Sequence, residues 1–148
     1  MIPNTLYEVF CSAVEKYTTK VAFSLWHSAD ITYGEVERRV REVQQMLVSS
    51  GLHAGDKIAI LSNNHPNWCV SYFAITTAGY VAVPIMANLT TENIDNILEH
   101  SESKALFVSD RLYSKVPKHR LASMNIIIRT KNLKVITQNI AEQGSTAL

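Results

Sequence analysis

The chain reads as an α/β protein with a mostly parallel sheet flanked by helices. Three observations predict this: short apolar runs alternate with longer amphipathic segments, the connections between them span only a few residues, and turn or cap residues stand at nearly every junction. Strands joined through helices across short loops imply right-handed crossovers, and these put helices on both faces of the sheet.

Taken in order, Leu6, Val9, Phe10, Ala13 and Val14 recur at helical spacing and predict a first helix. Val21 to Trp26 and Ile31 to Tyr33 predict two strands around a turn at Ser28 to Asp30. Thr32, with Glu35 three places on, has the spacing of a capping box and starts the next helix. Val36, Val40, Val43 and Leu47 form its apolar stripe. On its remaining surface Glu35 and Arg39, Glu37 and Arg41, and Arg38 and Glu42 stand four apart, where opposite charges meet. The helix runs to about Ser50, and Gly51 supplies the left-handed residue that commonly follows a helix end.

Lys57 to Leu61 is an apolar run between Gly55-Asp56 and Ser62-Asn63-Asn64, the pattern of a buried parallel strand. Asn64 or His65 then caps a helix with Pro66 near its first position, where a missing N–H costs nothing. Trp68, Cys69, Tyr72, Phe73 and Ile75 make that helix apolar around most of its circumference and predict that it is buried. Gly79 ends it. Tyr80 to Val83 is the next strand, stopped by Pro84. Thr90 or Thr91 starts a helix carrying Ile94, Ile97 and Leu98, with Ala105 to Val108 as its strand. Asp110 opens a short helix, Asn125 to Arg129 is a further apolar strand, and beyond Lys131 the signal fades.

Composition agrees with a single domain: 148 residues, 47% of them hydrophobic, can bury one core. A net charge of +1 argues neither for nor against nucleic acid, and none is expected as a partner. Cys11 and Cys69 both fall on apolar helix faces, so they read as reduced core thiols rather than a disulfide. No apolar run approaches the roughly 18 residues of a membrane span, and no leader pattern opens the chain. A cytoplasmic location is the expectation, with a peripheral membrane association as an option through the basic segment described below.

The chemical motifs are mostly negative. The chain holds no G-x-x-x-x-G-K-[ST], no G-x-G-x-x-G and no G-x-S-x-G, so neither a phosphate cradle nor a nucleophile elbow is encoded. His27, His53, His65, His100 and His119 are scattered, and a metal site would need distant positions brought together. Asp30 and Asp56 sit near strand ends, but each lies in a turn sequence whose backbone it can satisfy. Asn63, Asn64, His65 and Trp68 cluster after the Lys57 to Leu61 strand, at the carboxyl edge where open parallel sheets bind ligands; they read as a helix cap with a packing tryptophan, or as a substrate-facing rim. Residues 111 to 134 carry Arg111, Lys115, Lys118, Arg120, Arg129, Lys131 and Lys134 without an acidic residue, half of the chain's 14 Lys and Arg. Such a run is a solvated face, or a landing surface for a cofactor's phosphates or acidic lipid head groups.

The order Leu6-Tyr7-Glu8-Val9-Phe10, Ile31-Thr32-Tyr33-Gly34-Glu35, Gly51 to Ile60, Asn64-His65-Pro66-Asn67-Trp68 and Ala78 to Pro84 resembles the N-terminal part of AMP-forming acyl-CoA synthetases, the adenylate-forming superfamily. It is most similar to the long-chain fatty acid CoA ligase branch, over residues 4 to about 110. The combination and spacing carry this resemblance, and no single piece would suffice.

The resemblance implies a large N-terminal domain, a small mobile C-terminal one and a two-step reaction. A carboxylate attacks the α-phosphate of ATP, with magnesium, to give an acyl-adenylate and pyrophosphate; the thiol of CoA then displaces AMP. The family's phosphate loop, its adenine and ribose residues, its hinge and its catalytic lysine match no position here, so no catalytic, cofactor-binding or metal-binding residue is assigned. The expectation is therefore an N-terminal fragment of an AMP-binding domain over residues 1–148, with 131–148 a weakly structured end. ATP, magnesium and CoA belong to the intact parent, and the fragment alone is expected to be inactive and to hold none of them. Its partners would be the remainder of the parent, the parent's fatty acid substrate, and a second copy through exposed apolar surface. The alternatives are an adenylation domain of a peptide synthetase, which shares these motifs, or a self-standing α/β binding module.

Overall fold

A computed structural model of the chain describes residue 2 and residues 4–139. Its centre is a five-stranded sheet built from β3 (Lys57–Leu61), β4 (Val81–Ile85), β5 (Ala105–Val108), β6 (Ile126–Arg129) and β7 (Lys134–Gln138), in the order β4-β3-β5-β6-β7. The β3–β4, β3–β5 and β5–β6 pairs are parallel, and β7 closes the far edge antiparallel to β6. A separate antiparallel ribbon joins β1 (Val21–Phe23) to β2 (Ile31–Thr32).

The inner strands are buried on both faces, and their two-residue period sorts the core into two halves. Ile58, Ile60, Ala105, Phe107, Ile126 and Ile128 meet α1 (Leu6–Tyr17), α2 (Tyr33–Ser49) and α3 (Pro66–Thr76). Ala59, Leu61, Leu106, Val108 and Ile127 meet α4 (Thr91–Ser101), Leu112 of α5 (Asp110–Tyr113), and Met124 at the end of α6 (Lys118–Ser123). The expected α/β class with helices on both faces is what the chain adopts.

The α2 stripe lies where its spacing puts it: Val36, Val40, Val43 and Leu47 are all buried. All three predicted ion pairs form along its outer side. The predicted capping box is only half made. The Thr32 hydroxyl accepts from the Glu35 N–H at 3.2 Å, but the Glu35 carboxylate turns to Arg38 and Arg39 instead of reaching back, because two guanidiniums outbid one amide. The complete box stands at α1, where Thr5 and Glu8 exchange both bonds.

Four other expectations are corrected. Pro84 does not stop its strand: β4 runs through it to Ile85, because β4 is an edge strand and a proline there forfeits no ladder bond on its open side. The first ribbon strand ends at Phe23, leaving Trp26 84% exposed in the connection. Cys11 is exposed rather than core, while Cys69 is half-buried; both are free thiols. Beyond Lys131, where the signal fades, Lys134–Gln138 forms β7, an edge strand exposed along nearly its whole length. The rest of the expected weakly structured end, 140–148, lies outside the described residues.

Candidate functional site

The chain leaves β3 through α3 toward the first face of the sheet and leaves β4 through α4 toward the second. Adjacent parallel strands whose exits part in this way open a crevice at their carboxyl ends, the place where open α/β sheets bind ligands. A cleft of about 670 Å³ lies there, between the loop after β3 and the loop after β4. Asn63, Asn64 and Trp68 line one wall, and Pro84, Met86 and Asn88 the other.

Of the four residues that sequence reasoning grouped at this edge, Asn63, Asn64 and Trp68 reach the cleft. His65 does not: its imidazole caps α3, with Nδ1 accepting from the Asn67 N–H at 3.0 Å. Burial and the positive charges of Arg39 and Lys131 push the His65 pKa below its ordinary value, which keeps Nδ1 an acceptor at neutral pH. Trp68 stacks on Tyr72 one helical turn on, with ring centroids 5.6 Å apart and planes 9° off parallel. The indole is thereby held as a fixed, half-buried apolar wall.

Two members of the basic segment stand over the same edge. The Arg111 guanidinium donates to Asn63 Oδ1 at 3.1 Å, and the Lys115 ammonium donates to the carbonyls of Ala87 at 3.3 Å and Leu89 at 3.0 Å. Each cation is thus tied to one of the two loops that flank the cleft, and among the described residues neither is paired with a carboxylate. The rest of the segment disperses: Arg120 pairs with Asp95 and Glu99, and Arg129 with Asp110.

Both candidate aspartates are turn residues. Asp30 accepts from the Ser24 hydroxyl at 2.6 Å across the ribbon. Asp56 lies at the opposite, amino end of β3, where it accepts from the His53 N–H and the Lys104 ammonium, each at 2.8 Å. Partial burial raises its pKa, but those two donors outweigh the burial and hold it below the usual carboxylate range. Among the described residues no group of three His, Cys, Asp or Glu side chains could hold a metal ion.

Residues 10–147 match the model of the AMP-binding enzyme family. The chain belongs to that family. It is 34% identical over 116 residues to naringenin synthase of Pestalotiopsis fici, spanning 78% of the chain and 4% of that protein. It is 27% identical to the long-chain-fatty-acid–CoA ligase heimdall of Drosophila melanogaster, spanning 86% of the chain and 20% of that protein. The crystal structure of the anthranilate CoA ligase AuaEII in complex with anthranoyl-AMP superposes with a TM-score of 0.79 at 19% identity, over 86% of the chain and 25% of that structure, and this likeness shows the fold. This AMP-binding family chain therefore spans a fifth or less of the curated relatives named here.

Sequence reasoning placed the cleft's β3 wall but missed its β4 wall and the two cations at its rim. The β4 wall was hidden because Pro84 read as a stop. Arg111 and Lys115 were visible only as members of a charge run, and the fold selects them from it.

Proposed function

We propose that this chain is the N-terminal portion of a long-chain fatty acid CoA ligase, which forms an acyl-adenylate from ATP and a fatty acid and then a thioester with CoA. The observation that carries this reading is the family match together with a ligand crevice at the sheet's switch point, where Arg111 and Lys115 stand at the rim of an otherwise uncharged cleft. The chain supplies a wall rather than a reaction centre. It holds no Ser/Thr/Gly-rich phosphate loop and no catalytic lysine of the family's pattern, so the adenylating chemistry belongs to the remainder of the enzyme and the chain alone is inactive. Arg111 and Lys115 would meet the phosphates of CoA as it enters, and Trp68 would present an apolar wall beside the thiol arm.

A second reading is an adenylation module of a peptide synthetase or a comparable multidomain synthase. The chain's match to a 4% stretch of a very long synthase favours it. Thioester formation by the full-length protein separates the two: with ATP, magnesium and CoA, the first reading expects palmitate to be consumed and AMP released. Turnover of amino acids with no thioester to free CoA would establish the second. Under the first reading, Arg111→Gln with Lys115→Gln raises KM for CoA about tenfold while leaving adenylate formation unchanged.

A further inference from the structure

A second concave site lies on the other side of the α3 N-terminus, and nothing in the proposed reaction uses it. It is a groove of about 400 Å³ between α2 and the turn that joins β6 to β7, lined by Arg38, Arg39, Asn67, Lys131, Asn132 and Lys134 with one carboxylate, Glu42. We propose that this groove binds the phosphate group of a small soluble ligand, independently of the cleft.

The groove is built from inside. Asn67, only 2% exposed, donates through Nδ2 to the carbonyls of Thr130 at 2.9 Å and Lys131 at 3.0 Å, and accepts from Arg39 Nη1 at 2.9 Å through Oδ1. One buried amide therefore fixes both the turn and a guanidinium. Leu133 turns left-handed at φ 56° with its side chain buried, and the Asn132 side chain accepts from the Lys134 N–H at 3.1 Å. The turn is thus held in one shape, with Lys131 and Lys134 on the groove.

Its charge is unbalanced. Arg38 and Arg39 are engaged by Glu35, and Arg38 also by Glu42, while α3 contributes no acidic residue. Among the described residues no carboxylate pairs with Lys131 or Lys134. Two positive charges in excess, in a concavity fixed by a buried network, attract an anion of at least two charges, and ammonium and guanidinium groups set at a shared concavity suit phosphate oxygens. A recess of about 400 Å³ admits a free phosphate group more readily than a bilayer surface.

Isothermal titration of the chain with inorganic pyrophosphate tests this. With Arg111→Gln and Lys115→Gln removing the cleft's own cations, one equivalent still binds, and affinity falls as salt rises from about 0.05 to about 0.5 M, as a contact between exposed charges requires. Lys131→Gln with Lys134→Gln, both exposed and off the core, weakens binding about tenfold or more, whereas Arg111→Gln with Lys115→Gln leaves it intact. Absence of pyrophosphate binding, loss in the cleft variant rather than the groove variant, or co-sedimentation with phosphatidylglycerol vesicles unaccompanied by pyrophosphate binding would each overturn the proposal. The inference does not rest on the ligase reading, because its readout is binding at α2 and the β6–β7 turn and not thioester formation.

Discussion

Asn67 is the residue that holds the α2 and β6–β7 groove together, and replacing it by leucine is the sharpest test of how that groove is built. The substitution keeps the γ-branched shape at a position 2% exposed but deletes three hydrogen bonds, two to the carbonyls of Thr130 and Lys131 and one from Arg39. The carbonyls stay buried or half-buried and lose their donor, so each carries a desolvation cost of about 1 kcal/mol or more; with the guanidinium the sum is about 3 kcal/mol. For a domain of this size that lowers Tm by roughly 9 °C, at about 3 °C per kcal/mol. Thermal unfolding followed by circular dichroism reads it, and chemical denaturation with an unchanged m-value verifies that only stability has moved. A loss below about 1 kcal/mol would mean that the turn after β6 is held by other contacts, and the reasoning about a prebuilt groove would fall with it.

Gly79→Val should destabilise by about 1 kcal/mol or more, since Gly79 has φ 84° while the nearest atom to an added Cβ is the Ala54 Cβ at 4.0 Å; the cost is backbone strain, and an unchanged Tm would mean the turn before β4 is misassigned. The Arg38 hydrogen bonds, working against partial burial and joined by Arg39, lower the Glu35 pKa from its ordinary 4.5 to about 2. Because the folded value lies below the unfolded one, the stabilisation is present above about pH 4.5 and is lost as pH falls toward 2, amounting to about 1 kcal/mol after screening; Glu35→Gln should flatten the acid limb of stability against pH, and an unchanged limb would refute the pairing. Leu6, Tyr7, Val9, Leu25 and Trp26 are exposed apolar side chains on α1 and the ribbon connection, so the chain should self-associate in sedimentation equilibrium and Trp26→Ser should shift it toward monomer; a monomer at high concentration in both forms would contradict this.

How much was legible depended on burial. Lys57 to Leu61 and Ala105 to Val108 could be read to the residue because strands covered on both faces are continuous apolar runs with turn residues at each end. The α2 helix was equally plain, since its stripe and its ion pairs obey one period. Edges were not: β4 tolerates Pro84 and β7 has only weak apolar content, because an edge strand answers to solvent on one side. For the cleft, Asn63, Asn64 and Trp68 were readable from their place after a strand, but Arg111 and Lys115 become neighbours of Asn63 and Ala87 only through the crossover of α4, a contact spanning up to 48 positions in sequence. The Thr5–Glu8 box was present in the sequence as Thr-x-x-Glu before an apolar run and could have been found. Asn67 could not: nothing in the local pattern marks an asparagine that will hold a turn more than 60 residues away.

The central claim, that the chain is one wall of an adenylating ligase whose reaction centre lies elsewhere, is tested most directly by fatty-acid-dependent exchange of labelled pyrophosphate into ATP. Measured on the chain alone with magnesium and palmitate, exchange should be absent; measured on the full-length protein that carries it, exchange should appear and depend on the fatty acid. Exchange by the chain alone would place a complete nucleotide site within these 148 residues and contradict the account.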